Sequence, residues 1–195
     1  MKACQKRNPF CISSNVDLAS ELEAFGLNSR ITSPDSRVGC FCRYSEMKVN
    51  AFKEISFATL YIAGSGPDLK IWQDYIQHNQ IKNVMLLGEI KSFDAFYDYD
   101  VFMLISDSEG LPISAIEAMS AGLPLILSNV GGCPELIKNN GVLVDNNIAA
   151  IVNAVKNISD NDINYQSGSI ALYDASFNMN LVKKNYIQTY QQIIN

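Results

Sequence analysis

The chain has 195 residues, 48% of them hydrophobic and 18% charged, with a net charge of −5. That length holds one domain, or one domain and a fragment of another, and the composition suits a globular core rather than disorder. The basic residues form no run, which argues against nucleic acid as the main partner, and no apolar stretch reaches the roughly 18 residues of a membrane span.

In chain order, residues 1–37 are weakly patterned. Val16 to Phe25 suits a helix capped near Asn15 or Asp17, and Asn28 to Arg37, rich in Ser, Asn and Pro, reads as a loop. A strand is expected at Val38–Cys42 and a short helix at Val49–Ile55. Ala58–Ala63 is a β-rich run that stops at Gly64-Ser65-Gly66-Pro67. Leu69, Trp72 and Ile76 share one face of a helix over Asp68–His78. Val84–Leu87 reads as a buried strand ended by Gly88, Phe93–Tyr97 as a short helix, and Val101–Ile105 as another apolar strand. A helix over Ser114–Ala121 closes at Gly122. There follow a strand at Leu125–Leu127, a turn at Gly131-Gly132, a short helix at Pro134–Lys138 and a strand at Gly141–Val144. Helices over Ile148–Ile158 and Ala175–Ile194 end the chain, the second long and amphipathic.

Short apolar strands alternating with helices predict an α/β fold, a Rossmann-like doubly wound parallel sheet with a long C-terminal helix. The sheet begins near Val38. Residues 1–37 are therefore expected to be an appendage or the remnant of a larger unit, and residues 38–195 the ligand-binding domain. Five cysteines, Cys4, Cys11, Cys40, Cys42 and Cys133, make an odd number, and Cys40 and Cys42 are too close for a typical zinc pair. They are expected to be free thiols of a reducing compartment, which predicts a cytoplasmic protein. Met1 to Pro9 is basic, but no signal-peptide core follows it.

Doubly wound sheets bind ligands outside the carboxyl ends of their strands. The candidate loops are Arg43–Lys48, Gly64–Pro67, Gly88–Lys91, Ser106–Ile113 and Ser128–Cys133. The stretch Glu109-Gly110-Leu111-Pro112-Ile113-Ser114-Ala115-Ile116-Glu117 reads as a loop opening a helix, with a carboxylate at each end. Free N–H groups at such a helix start suit a phosphate. Arg43 and Lys48 suit a diphosphate, one as a planar fork and the other as a point charge. Glu109 and Glu117 suit sugar or ribose hydroxyls. Each also has a plainer reading. Arg43 and Lys48 suit solvated loop charges, Glu109 a turn, Glu117 the positive end of a helix dipole, and the glycines simple turns. The single histidine, His78, lies away from these loops and suits a surface or packing role.

Together these motifs resemble the C-terminal, donor-binding domain of a GT-B glycosyltransferase of the retaining group 1, or family 4, type. The family's Arg-x-x-x-x-Lys stands as Arg43 to Lys48, its Gly-x-Gly-Pro as Gly64 to Pro67, and its Leu-Gly as Leu87-Gly88. Its paired glutamates stand as Glu109 and Glu117, and its Gly-Gly-x-x-Glu as Gly131 to Glu135. The resemblance covers Val38 to Asn195. It implies one half of a GT-B fold that binds a UDP- or GDP-sugar without a metal ion. It implies that Arg43 and Lys48 neutralise the diphosphate and that Glu109 holds donor-sugar hydroxyls, these three forming the catalytic set. Gly64, Gly66 and Gly88 would shape the donor loops, and Glu89 and Ile90 would lie beside the base. Gly110, Leu111, Pro112 and Ile113 would line the phosphate loop, and Glu117 would bind the ribose. The reading assigns no metal site and no Asp-x-Asp cluster.

The parent reaction would move a sugar to a hydroxyl of a glycan or lipid-linked glycan, with configuration kept, in bacterial surface polysaccharide synthesis. Lipopolysaccharide and capsule are the settings expected. The acceptor would be held by an N-terminal domain that residues 1–37 are too short to supply. The chain alone would then bind donor weakly and transfer little, and the full enzyme would work in the cytoplasm at the inner face of the membrane. The last helix would cross back to the missing half and expose residues such as Tyr186 and Tyr190. Two other readings stay open: a degenerate, non-catalytic GT-B-like binding module, and a nucleotide-sugar 2-epimerase-like domain. A flavodoxin-like receiver is disfavoured by Arg43 after the first strand. The Arg43–Gly64 segment is shorter than the family's, and Val49 stands where the family has glycine. A short first helix and extra exposed apolar surface there are expected.

Overall fold

The computed structural model describes residues 36–41, 45–89 and 93–194. Six parallel strands form one sheet: β1 (Ser36–Phe41), β2 (Ala58–Ala63), β3 (Val84–Gly88), β4 (Val101–Leu104), β5 (Leu125–Ser128) and β6 (Gly141–Val144). Their order across the sheet is β3-β2-β1-β4-β5-β6. The chain thus starts in the middle, winds outward to β3, then returns to β4 beside β1. This reversal leaves a crevice between the carboxyl ends of β1 and β4. The helices are α1 (Glu46–Lys53), α2 (Leu69–His78), α3 (Ile113–Ser120), α4 (Ile148–Leu172) and α5 (Met179–Ile194).

Strand side chains alternate between two apolar layers because successive Cβ atoms point to opposite faces. Val38, Cys40, Leu60, Ile62, Val101, Met103 and Ile126 enter the layer closed by α1 and the first half of α4. Phe102, Leu104, Leu125 and Leu127 enter the other, closed by Ala115, Ala118 and Met119 of α3 and by Leu136 and Leu172. The buried alanines let α3 lie close on the sheet. It ends in a Schellman cap, with the Leu123 N–H donating to the Ala118 carbonyl at 3.0 Å and the Gly122 N–H to Met119 at 2.9 Å.

The short segment between β1 and β2 is better packed than its length predicts. Val49, Ala51 and Phe52 of α1 are fully buried, and burying a side chain such as Phe52 stabilises by roughly 1.5–3 kcal/mol. The expected exposed apolar surface lies elsewhere, at edge strand β3. Met85 and Leu87 there are 49% and 40% exposed. They point away from the face on which Leu86 packs against the core, as Trp72 and Ile76 of α2 also do.

Four expectations need correction. The helix expected to stop at Ile158 runs on to Leu172, passes through a π-helical turn at Tyr173–Phe177, and only then breaks. The last helix therefore starts at Met179 rather than Ala175. Cys133 is a free, buried thiol, but Cys40 is disulfide-bonded, and its partner lies outside the described residues. A strand-interior cysteine facing a closed apolar layer gave no sequence sign of pairing. The helix expected over Val16–Phe25 and all of the loop expected over Asn28–Arg37 except Ser36 and Arg37 lie outside the described residues. Those two residues open β1, so the sheet starts slightly before Val38.

Candidate functional site

Every described candidate residue falls at the carboxyl edge of the sheet or on the helix that starts there. α1 follows β1 across the crevice, with Ser45 at its N-cap in an extended conformation. The Ser45 Oγ is buried and makes no hydrogen bond. Glu46 in the first turn and Lys53 in the last suit the helix dipole. Lys48 lies one turn in and is 1% exposed. Burial pulls its ammonium down from the ordinary 10.5 to about 8, against the opposing pull of the Asp107 carboxylate. Arg43 and Ile90 lie outside the described residues.

On the facing side, β4 runs into the loop carrying Asp107, Glu109, Gly110 and Leu111, and Pro112 then caps α3. The first N–H groups of α3 have no acceptor inside the helix. Glu109 is half-buried, and Leu111 and Ile113 are exposed. Glu117 stands half-buried on the second turn of α3, and burial pushes its carboxyl up. The loop after β5 braces this wall from behind. The Gly132 N–H donates to the Gly110 carbonyl at 2.8 Å. A Cβ at Gly131, whose φ is +51°, would stand 1.7 Å from the Glu109 carbonyl oxygen. This glycine pair therefore supports the loop of Glu109 by close backbone approach. Burial, followed by the nearby Glu109 charge, pushes the Cys133 thiol up.

Gly64 and Gly88 meet further out, where the Gly64 N–H donates to the Gly88 carbonyl at 2.8 Å. Glu89 follows and is exposed. Among the described residues, nothing lies within 4 Å of where a Cβ would stand at Gly66 or Gly110. Packing alone does not demand glycine at either position, and both loops are open to a ligand.

Sequence reading missed a polar clamp beneath the acidic loop. The Ser106 N–H donates to Ser128 Oγ at 2.9 Å, and the Ser128 hydroxyl donates to Asn146 Oδ1 at 2.6 Å. Asn146 Nδ2 donates in turn to the Ser106 carbonyl at 3.0 Å and to Asp107 Oδ1 at 3.2 Å. One available signal was Ser128, a polar residue ending an apolar strand. The other was the loop after β6, which reaches the same sheet edge. Two Asp-x-Asp patterns were also passed over. Asp98-Tyr99-Asp100 lies at the opposite sheet edge, where the Asp100 carboxylate accepts the Arg37 backbone N–H at 2.7 Å. Asp160-Asn161-Asp162 lies within α4.

A six-stranded doubly wound sheet with a buried cation and an acidic loop across its switch point defines a class. It is a Rossmann-like domain of the kind that forms one half of a GT-B fold. Residues 38–161 match glycosyl transferases group 1, and the chain belongs to that family. It is 38% identical over 149 residues to the O-antigen biosynthesis glycosyltransferase WbnH of Escherichia coli, covering 76% of this chain and 42% of WbnH. The chain thus spans less than half the length of that relative. The fold is shared with Anabaena Alr3699/HepE, solved in complex with UDP-glucose, at a TM-score of 0.70 and 18% identity over 89% of this chain and 52% of that one. It is shared too with the pneumococcal O-GlcNAc transferase GtfA, solved with UDP and GlcNAc, at a TM-score of 0.70 and 19% identity over 84% of this chain and 37% of that one.

Proposed function

We propose that this chain is the donor-binding domain of a retaining glycosyltransferase of surface polysaccharide synthesis, taking a nucleoside diphosphate sugar. The observation that carries the reading is Lys48, fully buried at the crevice between β1 and β4 and facing the acidic loop. A diphosphate beside a buried ammonium would interact with it more strongly than it would in water. Similarity to WbnH supports the polysaccharide setting, and HepE and GtfA support a UDP-linked donor.

On this reading Lys48, with Arg43, neutralises charge that grows on the leaving diphosphate, in a site where low polarity strengthens the interaction. The N–H groups at the start of α3 meet phosphate oxygens, and the unpartnered Ser45 hydroxyl at the N-cap of α1 is a further donor for the same anion. Glu109 accepts from donor-sugar hydroxyls and Glu117 from the ribose. Glu89 and Ile90 flank the base, with Gly64, Gly66 and Gly88 setting the loops. The cations and the helix dipole do the work of a metal ion, so no metal is required. Acceptor binding and efficient transfer belong to the remainder of a full-length enzyme, associated with the inner face of the membrane.

Calorimetry with UDP and GDP tests this. The chain is expected to bind one of them, and Lys48→Met is expected to weaken binding roughly ten- to hundredfold, the loss of a charged hydrogen bond of about 1.5–3 kcal/mol. Glu117→Gln should weaken it less, and His78→Ala not at all. Absence of binding at millimolar nucleotide, with the chain folded, would overturn the reading.

A further inference from the structure

Lys48 meets its opposite charge through a loop that is not regular structure. Asp107 is exposed and lies past the end of β4. A loop carboxylate of this kind ordinarily samples several rotamers, and holding it in one costs entropy. Asn146 supplies the restraint. Its amide oxygen accepts from Ser128 at the end of β5 at 2.6 Å. Its amide nitrogen donates to the Ser106 carbonyl at 3.0 Å and to Asp107 Oδ1 at 3.2 Å. An amide is suited to this place because it accepts and donates at once, whereas a carboxylate there would repel Asp107.

We propose that Asn146 is a positioning residue: it ties the carboxyl ends of β4, β5 and β6 together and holds the Asp107 carboxylate toward Lys48, so that Lys48 keeps its proton when it meets an anion. Other charged groups surround this corner. Glu46 and Lys53 lie on the same helix, Glu109 on the loop after β4, Asp145 on the loop after β6, and Lys156 on α4, which packs against α1. The Asp107 carboxylate acts on Lys48 and favours its charged form. The positioning stands without a nucleotide, and only its effect on donor affinity rests on the reading above.

The test is an NMR titration of the Lys48 side chain in the whole chain without ligand, its signal assigned with Lys48→Arg. Asp107→Asn should lower the titration midpoint by about half a pH unit or more. Asn146→Ala should lower it in the same direction by part of that amount, and should add nothing in the Asp107→Asn background. An unmoved midpoint in Asn146→Ala would overturn the proposal, as would an equal movement when Asp107 is already neutral. Asn146→Ser is the second variant where alanine prevents folding. UDP affinity measured over the same pH range should fall at lower pH in both variants than in the natural chain. Should the midpoints move as expected while UDP fails to bind at any pH, the donor reading fails and the positioning stands.

Discussion

At the scale of single residues, Lys48 carries opposed demands of stability and binding. Burial holds its ammonium at about 8, below the ordinary 10.5. Between those values the unfolded chain binds more protons than the folded one, so stability rises with pH across that window. Below it both states carry the proton, and keeping the charge buried costs on the order of 3 kcal/mol. Lys48→Met is therefore expected to melt higher than the natural chain at pH 7, with the gap closing as pH approaches 10. Scanning calorimetry at the two pH values checks this, and a lower melting temperature for Lys48→Met at pH 7 contradicts it. The type and spacing of Lys48, Glu109 and Glu117 were legible in the sequence, since the strand-loop-helix grammar places them at one sheet edge. The clamp of Ser106, Ser128 and Asn146 was not. Its members lie on separate loops, and only strand order brings them within hydrogen-bond reach.

At the scale of elements, the strands and the long last helix followed from their apolar patterns, and the full length of α4 did not. Beyond Ile158, α4 runs through a polar stretch from Ser159 to Asp162 and through Ser167-Gly168-Ser169, which carry no apolar helical pattern. In the structure Gly168 permits a close crossing, for a Cβ there would stand 2.1 Å from the Asn139 carbonyl oxygen. The Ser169 hydroxyl donates to the Leu123 carbonyl at 2.6 Å. Residues that break isolated helices are here points of tight packing. α5 is the reverse case. Met179, Tyr186, Tyr190 and Ile193 form one stripe at helical spacing, yet none of its residues is buried, and Tyr186 and Tyr190 stand 63% and 61% exposed, as expected. A helix that buries none of its residues is marginal in water. Removing residues 179–195 should therefore change the stability of the sheet by less than about 1 kcal/mol, while far-ultraviolet circular dichroism loses helix signal. A large fall in melting temperature would show that α5 supports the core.

At the scale of the whole molecule, the two apolar layers share one sheet. Val101 and Met103 of β4 face one layer while Phe102 and Leu104 face the other. Losing either layer strips the sheet that holds the second, so residues 36–172 should unfold in a single cooperative step. The one tryptophan, Trp72 on α2 at the β3 edge, provides the check. Its fluorescence and the helical dichroism should give the same midpoint in urea, and separate midpoints would divide the domain into independent units. By itself the sequence determined the alternation of strands and helices, because burial on both faces of a parallel sheet demands apolar runs of strand length. It also placed the charged and glycine-rich loops at one sheet edge, since each follows a strand. Tertiary structure alone decided which loops face each other. Strand order sets β4 beside β1 rather than β3, and that adjacency brings the Asp107 carboxylate to Lys48 and opens the crevice between them.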